Sequence, residues 1–370
     1  MGTQRSRLVI LIPAFWILCA LVASSLISAQ EGTLEWKNIT SPALAGNLIG
    51  DPETRSFAIY LPPSYKTSEE RYPVFYVLHG YMGNIGSMTP IKPTIDFMIR
   101  NRNIGEMIAV FVDGSNKFRG SWYLSSETIG NYETYITQDL VNHIDANYRT
   151  IVNRESRGIT GFSMGGYGAM HLALKFPQVF SAVVSQGGVY DFDSAWWKNP
   201  AQGTARVNPK DWAGFGQMFW LTQCAFAVSA AVSPNPDKPP FFLDKAFELV
   251  DKKLQVVPET WKQHVDADIV HGDLPSYLKQ PMRLSGILFV HGTSDGIVPI
   301  SQAQTLDKAM TDLGVDYVYE EHGGGHNFLA EKSFQFLSNH LEGDELLEEG
   351  FAVYARDKLA VTWGEIKQCW

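Results

Sequence analysis

One serine of the sequence lies in a pattern that suits a catalytic nucleophile. Gly161, Ser163 and Gly165 form a Gly-x-Ser-x-Gly motif. Between a strand and a helix, this motif makes a tight turn whose small residues allow a strained backbone at the serine and expose its hydroxyl. The flanking residues fit a position between a strand and a helix, because residues 157–160 can end a short strand and residues 167–174 have a helical pattern. We predict that Ser163 is a nucleophile; the alternative is a structural serine in a glycine-rich turn.

A serine hydroxyl needs a base to take its proton and an acid to orient that base. In an α/β fold with this motif, the chain order is serine, acid, histidine. Asp295 follows a predicted strand and is the candidate acid, although an Asp-Gly pair also suits a solvated turn. His326 is the preferred base, because the three glycines before it give the backbone freedom to bring it over the sheet end. His322, in the same loop, is the alternative base.

An ester-cleaving site also needs hydrogen-bond donors for the anionic oxygen of a tetrahedral intermediate. The backbone N–H of Met164, directly after the serine, is one predicted donor. We expect the second from Tyr81, in the loop after the predicted strand 74–78. The alternative for His79, two residues earlier, is a histidine packed at the end of the strand, and this is compatible with Tyr81 as a donor.

Short apolar strands alternate with amphipathic segments along the chain. The predicted strands are Phe57–Leu61, Val74–Leu78, Met107–Val112, Ala182–Ser185, Ile287–His291 and Tyr317–Glu320. Helical spacing is present in Tyr135–Tyr148 and Ser301–Leu313. The alternation predicts an α/β fold with a mostly parallel central sheet and helices on both faces.

The motifs together resemble a known family. They are the runs 60–65, 72–74, 78–80, 121–123, 145–150, 161–169 and 324–326. In this order they resemble the Putative esterase family of α/β-hydrolases, which includes feruloyl and acetyl-xylan esterases, S-formylglutathione hydrolases, siderophore esterases and mycolyltransferases. The resemblance spans roughly residues 34–341. It implies an α/β-hydrolase fold, Ser163, Asp295 and His326 as a triad, and an oxyanion hole from Tyr81 and Met164, but it does not choose a substrate.

A long insertion separates two predicted strands of the sheet. Residues 188–286 are rich in aromatic side chains, whereas such connections are normally short. We expect a lid-like segment that shapes the substrate pocket; a satellite core is the alternative. The predicted substrate-binding residues are Trp122, Tyr123, Trp196, Trp197 and Trp220.

The net charge of the chain indicates which partners are excluded, and residues 1–29 indicate where the protein is located. The 370-residue chain has a net charge of −9, which argues against a nucleic-acid partner. Arg5 and Arg7 precede an uncharged run over residues 8–29, which predicts a cleaved signal peptide; an uncleaved anchor is the alternative. The sequence offers no motif for a metal or another cofactor, and it leaves open whether Cys224 and Cys369 pair.

These predictions combine into one organisation. We expect a signal peptide over 1–29, a catalytic domain over 30–341, and an acidic tail over 342–370. The expected function is that of a secreted or periplasmic serine esterase acting on a small or polymeric ester through an acyl-enzyme. The alternatives are acyl transfer to a sugar or lipid alcohol, a feruloyl or acetyl-xylan esterase, and a surface binding protein without catalysis. The sequence does not define an oligomeric state.

Overall fold

The computed structural model describes residues 31–343 of the chain. The predicted signal peptide and the predicted tail after residue 343 lie outside this range. The strands are β1 (Thr33–Thr40), β2 (Thr54–Leu61), β3 (Val74–Leu78), β4 (Ile108–Val112), β5 (Ser125–Ser126), β6 (Gly130–Asn131), β7 (Arg157–Phe162), β8 (Ala182–Gln186), β9 (Phe247–Val250), β10 (Lys253–Val256), β11 (Gly286–Gly292) and β12 (Val318–His322).

Eight of these strands form one sheet in the order β1-β2-β4-β3-β7-β8-β11-β12. From β4 to β12 all neighbours are parallel, while β2 runs antiparallel to both β1 and β4. Every predicted strand is present. β2 begins at Thr54, three residues before its predicted start, because it pairs along its whole length with β1, a strand that the sequence pattern did not reveal.

The sheet is covered on both faces. Along β3, Val74 and Tyr76 belong to one apolar core, while Phe75 and Val77 belong to another. Because successive side chains of a strand point to opposite faces, these two cores lie on the two sides of the sheet. The predicted double-sided burial of the central strands is therefore present in the structure.

Helices fill the connections between the strands. They are α1 (Ile85–Met88), α2 (Lys92–Arg100), α3 (Tyr132–Thr134), α4 (Val141–Asn147), α5 (Met164–Lys175), α6 (Ala195–Ala205), α7 (Trp212–Gly216), α8 (Trp220–Val232), α9 (Pro258–Asp266), α10 (Leu274–Tyr277), α11 (Ser301–Asp312) and α12 (Ala330–His340). The π-helical segment Tyr135–Leu140 joins α3 to α4, so the predicted helix over 135–148 begins earlier and contains a π turn. Within α5, every residue before Lys175 is buried, as its apolar composition on all sides requires.

The insertion between β8 and β11 contains α6 to α10, the hairpin β9–β10 and the π-helical segment Ile269–Asp273. It packs on α5, where the Tyr167 hydroxyl donates to the Ala267 carbonyl oxygen and His171 contacts Asp273. The described residues from Gly32 onward belong to one unit of dense internal contacts. Within residues 31–343 no helix has both the length and the apolar character needed to cross a bilayer.

Candidate active site

The predicted nucleophile lies in a strained turn between β7 and α5. Ser163 has φ 59° and ψ −121°, a backbone conformation that L-residues rarely adopt, and its N–H donates to the Gln186 carbonyl oxygen at 2.8 Å. The glycines are required by close approaches. A Cβ at Gly161 would lie 2.0 Å from the Gly165 carbonyl oxygen, and one at Gly165 would lie 2.3 Å from the Leu78 carbonyl oxygen. Strain of this kind persists where the surrounding structure holds it, typically at functional sites.

Asp295 and His326 form a hydrogen-bonded pair. Their Oδ2 and Nδ1 atoms are 2.6 Å apart. The other carboxylate oxygen of Asp295 accepts from the N–H groups of Ile297 at 2.8 Å and Val298 at 2.9 Å. The carboxylate is 1% exposed and the imidazole 11% exposed. Asp295 thus fixes the ring orientation of His326 and leaves Nε2 for another partner.

The His326 ring packs against the residues that surround Ser163. Its centroid is 4.4 Å from that of Phe162, the residue before the serine. Gly187 has φ 55°, and a Cβ there would lie 3.3 Å from the His326 ring. No hydrogen bond joins Ser163 to His326 among the described residues; in sites without substrate such bonds are often long and tighten on binding.

The two other histidines near this point have different surroundings. Nδ1 of His322 accepts from the Gly324 N–H at 3.1 Å, so this alternative base is engaged at the end of β12. His291, which the sequence did not single out, is fully buried beside the acid. Its Nε2 donates to the Val298 carbonyl oxygen at 2.9 Å and lies 3.5 Å from Oδ2 of Asp295. Burial lowers the pKa of His291, so it stays neutral and supports the Asp295 loop.

The two residues that carry the predicted oxyanion donors both place their side chains beside Gly120. A Cβ at Gly120 would lie 2.5 Å from Sδ of Met164 and 2.8 Å from Cδ2 of Tyr81. Within residues 31–343, neither the Tyr81 nor the Met164 N–H donates to a protein acceptor. Met164 is the first residue of α5, where the helix dipole favours negative charge.

His79 holds the loop that carries Tyr81. Its Nδ1 donates to the Gly80 carbonyl oxygen at 2.8 Å and its Nε2 accepts from the Gly114 N–H at 3.0 Å. The Tyr81 hydroxyl donates to the Phe118 carbonyl oxygen at 2.7 Å. His79 is thus a packed histidine, as considered from the sequence, and its hydrogen bonds hold the loop that carries Tyr81.

Four of the five predicted substrate-binding aromatics line one cavity with Ser163. The cavity measures about 20 Å³, and its lining comprises Tyr81, Trp122, Ser163, Met164, Val189, Trp196, Trp197, Trp220, Leu221, Cys224, Ile297 and Val298. Tyr123 is not in this lining. Its fully buried ring packs against Gly114 and Gly168, and its hydroxyl donates to the His79 carbonyl oxygen at 2.8 Å. Cys224 is a buried free thiol in the same lining, and Cys369 lies outside the described residues.

One group of side chains in the described range has donor types that suit a cation. Asp191, Asp268 and His271 bring their potential ligand atoms within 4.8 Å of one another. Asp268 Oδ2 already accepts from Nδ1 of His271 at 2.8 Å and from the Phe192 N–H at 2.9 Å. Because this carboxylate has protein donors, we assign the group a structural role.

Comparison with known proteins assigns the chain to a family. The family model described as "Putative esterase" matches residues 52–330, so the chain belongs to this family, as the sequence motifs predicted. Esterase Rv1288 of Mycobacterium tuberculosis is 36% identical over 136 residues, covering 35% of this chain and 28% of that protein. The endo-1,4-beta-xylanase/feruloyl esterase of Xylanibacter ruminicola is 32% identical over 143 residues, covering 36% of this chain and 19% of that protein. The chain therefore spans less than a third of either relative.

Solved structures confirm the predicted fold class. A ferulic acid esterase superposes with a TM-score of 0.55 at 16% identity, covering 84% of this chain and 99% of that one. An S-formylglutathione hydrolase from Agrobacterium tumefaciens gives a TM-score of 0.55 at 17% identity, covering 85% and 97%. With its mostly parallel sheet, the chain has the α/β-hydrolase fold. Family membership also supports the prediction of a serine esterase.

Proposed function

We propose that the protein is an exported serine carboxylic-ester hydrolase that works through an acyl-enzyme. The observation that carries the proposal is the bond between His326 and Asp295, with the histidine ring packed beside the strained Ser163 turn. Export rests on the basic and then uncharged sequence of residues 1–29.

In the proposed first half-reaction, the Ser163 oxygen forms a bond to the acyl carbon while its proton moves to Nε2 of His326. Asp295 stabilises the resulting imidazolium. The N–H groups of Tyr81 and Met164 donate to the developing oxyanion. The bond from the acyl carbon to the alcohol oxygen then breaks, and this oxygen takes the proton from His326.

In the second half-reaction, water replaces the alcohol. His326 takes a proton from the water as its oxygen attacks the acyl carbon, and the same oxyanion donors stabilise the second intermediate. The bond to Ser163 breaks, the serine regains its proton, and the acid leaves. An alcohol in place of this water would give acyl transfer, so the acceptor decides between hydrolase and transferase.

Turnover of 4-nitrophenyl acetate by purified Ser163→Ala protein tests the proposal. We expect hydrolysis to fall to the uncatalysed background in this variant, while Ser276→Ala, an exposed serine in α10, keeps the wild-type rate. Retained turnover in Ser163→Ala overturns the proposal. Product analysis with and without added glycerol separates the chemistries, because free acid as the product in both conditions excludes transfer.

A further inference from the structure

The cavity beside Ser163 is nearly filled by the side chains that form its walls. Its volume is about 20 Å³. A cavity must offer about 10–15 Å³ to hold one water molecule. The space therefore accepts only a short chain unless its walls move.

The residues that line the cavity assign it to the acyl side of an ester. Ser163 and the predicted oxyanion donors Tyr81 and Met164 line it, whereas His326 is absent from the described lining. The departing alcohol must lie beside the base that protonates its oxygen. The alcohol is then on the histidine side, and the cavity receives the carbon chain of the acyl group.

The inner wall of the cavity is held rigidly. Trp197 stacks on Phe192 with ring centroids 4.7 Å apart, and Phe192 stacks on Tyr167 at 5.3 Å. Trp122 meets the edge or face of all three rings, at 5.2 to 5.7 Å. Trp122 and Trp197 are 2% and 0% exposed. Rings packed at this density do not make room for a longer chain without loss of contacts.

The outer wall consists of less buried residues. Trp196 in α6 and Trp220 in α8 are partly exposed and belong to the insertion, while Ile297 is 43% exposed and follows the acid. Substitution of Trp196 or Trp220 should therefore open the cavity toward solvent. Trp196 also contacts Trp197 of the inner wall, with ring centroids 6.0 Å apart, whereas the ring neighbour of Trp220 is Phe219.

We infer that this enzyme is selective for acetyl and comparably short acyl groups, because Trp196 and Trp220 close the space that a longer acyl chain would need. The inference rests on the proposed esterase function and names its substrate class on the acyl side. One additional methylene that a pocket must reject changes kcat/KM by roughly 10- to 200-fold.

The test compares kcat/KM for 4-nitrophenyl acetate, butyrate and octanoate with the purified full chain. Wild-type protein should prefer acetate to butyrate by at least about tenfold, with octanoate weaker still. Trp196→Ala and Trp220→Ala should each raise the butyrate-to-acetate ratio by about tenfold. Trp261→Ala is the matched control, because Trp261 is a half-buried tryptophan of the same insertion outside the cavity lining, and its ratio should equal that of wild type.

The outcomes separate the inference from the function on which it rests. Octanoate turnover by wild-type protein as efficient as acetate turnover overturns the acyl selectivity and leaves the esterase standing. An unchanged ratio in the folded double variant Trp196→Ala, Trp220→Ala overturns the role of the outer wall. Absence of Ser163-dependent turnover on all three esters overturns the function and the inference together.

Discussion

At the scale of single residues, the surroundings of Asp295 carry most of the chemistry that the site can do. Two backbone N–H groups hold one of its oxygens, and the other faces His326 at 2.6 Å and His291 at 3.5 Å. Hydrogen bonds at both oxygens hold this buried carboxylate in one orientation. It can therefore orient His326 and stabilise its charged form.

Replacement of this acid by an amide tests that role. In Asp295→Asn, the side-chain oxygen can still accept from Ile297 and Val298, but the amide N–H₂ would face Nδ1 of His326 and favour the wrong tautomer. We expect kcat for 4-nitrophenyl acetate to fall by roughly 10⁴-fold with little change in stability. Asp312→Asn, at an exposed acid of α11 paired with Lys308, is the matched control. Activity above a tenth of the wild-type value in Asp295→Asn would argue against the triad.

Some of these residues could be predicted from the sequence and others could not, for a physical reason. Ser163, Asp295 and His326 follow strands of a parallel sheet, and the carboxyl ends of parallel strands meet at one edge, so their positions in the chain predict one region. Gly187 and His291 act through contacts with distant loops, which spacing does not encode. Trp122 and Tyr123 are neighbours in the chain, with φ angles of 56° and 59°. This left-handed backbone turns the chain between them, and of the two only Trp122 lines the cavity.

At the scale of elements, the turn between β7 and α5 depends on close contact with β3. The carbonyl oxygens of Leu78 and His79 would lie 2.3 and 2.7 Å from a Cβ at Gly165. This contact sets the distance between the nucleophile turn and the loop that carries Tyr81. The Gly-x-Ser-x-Gly motif predicted the turn, but the partner strand becomes visible only in the sheet order.

Gly165→Ala should therefore affect both stability and activity. The added methyl group forces β3 and α5 apart, which costs about 1–3 kcal/mol in unfolding free energy as overpacking does elsewhere. It also moves the Met164 N–H away from the Tyr81 loop, so kcat should fall more than the loss of folded protein explains. Denaturant unfolding and ester turnover of the same sample measure the two effects. Gly343→Ala, whose Cβ would meet open space, should change neither, and equal stability of Gly165→Ala and wild type would contradict this packing argument.

At the scale of the whole molecule, a buried ionic cluster ties the insertion to the nucleophile helix. His171 in α5 lies between Asp273, at 2.7 Å, and Glu133, at 2.9 Å, and Lys175 also contacts Glu133. Burial opposes the charged imidazole, but attraction to Asp273 and Glu133 outweighs it and raises the pKa of His171 to about 9. The charged histidine thus links α5, α3 and the end of the insertion.

This cluster predicts how stability changes with pH. Because the folded pKa of His171 lies above the usual value of 6.5, its contribution is complete below pH 6.5 and is lost as pH rises through about 9. We expect the unfolding free energy to fall by about 2–3 kcal/mol between pH 6.5 and 10. His171→Leu should be less stable at pH 6.5, since it removes the charged partner of buried Asp273 and leaves Glu133 with Lys175 alone, and should lose less stability over this range.

Unfolding curves of the wild-type and His171→Leu proteins at pH 6.5 and 10 test this prediction. His340→Gln is the control, and its stability should depend on pH as that of the wild type does. A stability loss of equal size in His171→Leu would show that other groups cause it. A separate transition for the insertion would contradict the link to α5, because one buried cluster shared by both should make them unfold together.

Covalent labelling of the folded protein by a fluorophosphonate, followed by intact-mass and peptide mass spectrometry, tests most directly whether Ser163 is an activated nucleophile. A serine activated by His326 and Asp295 should attack phosphorus and expel fluoride. We expect one phosphonyl adduct per chain, located at Ser163, slower labelling in Asp295→Asn and none in Ser163→Ala. An unlabelled wild-type protein, or an adduct that persists in Ser163→Ala, would contradict this expectation.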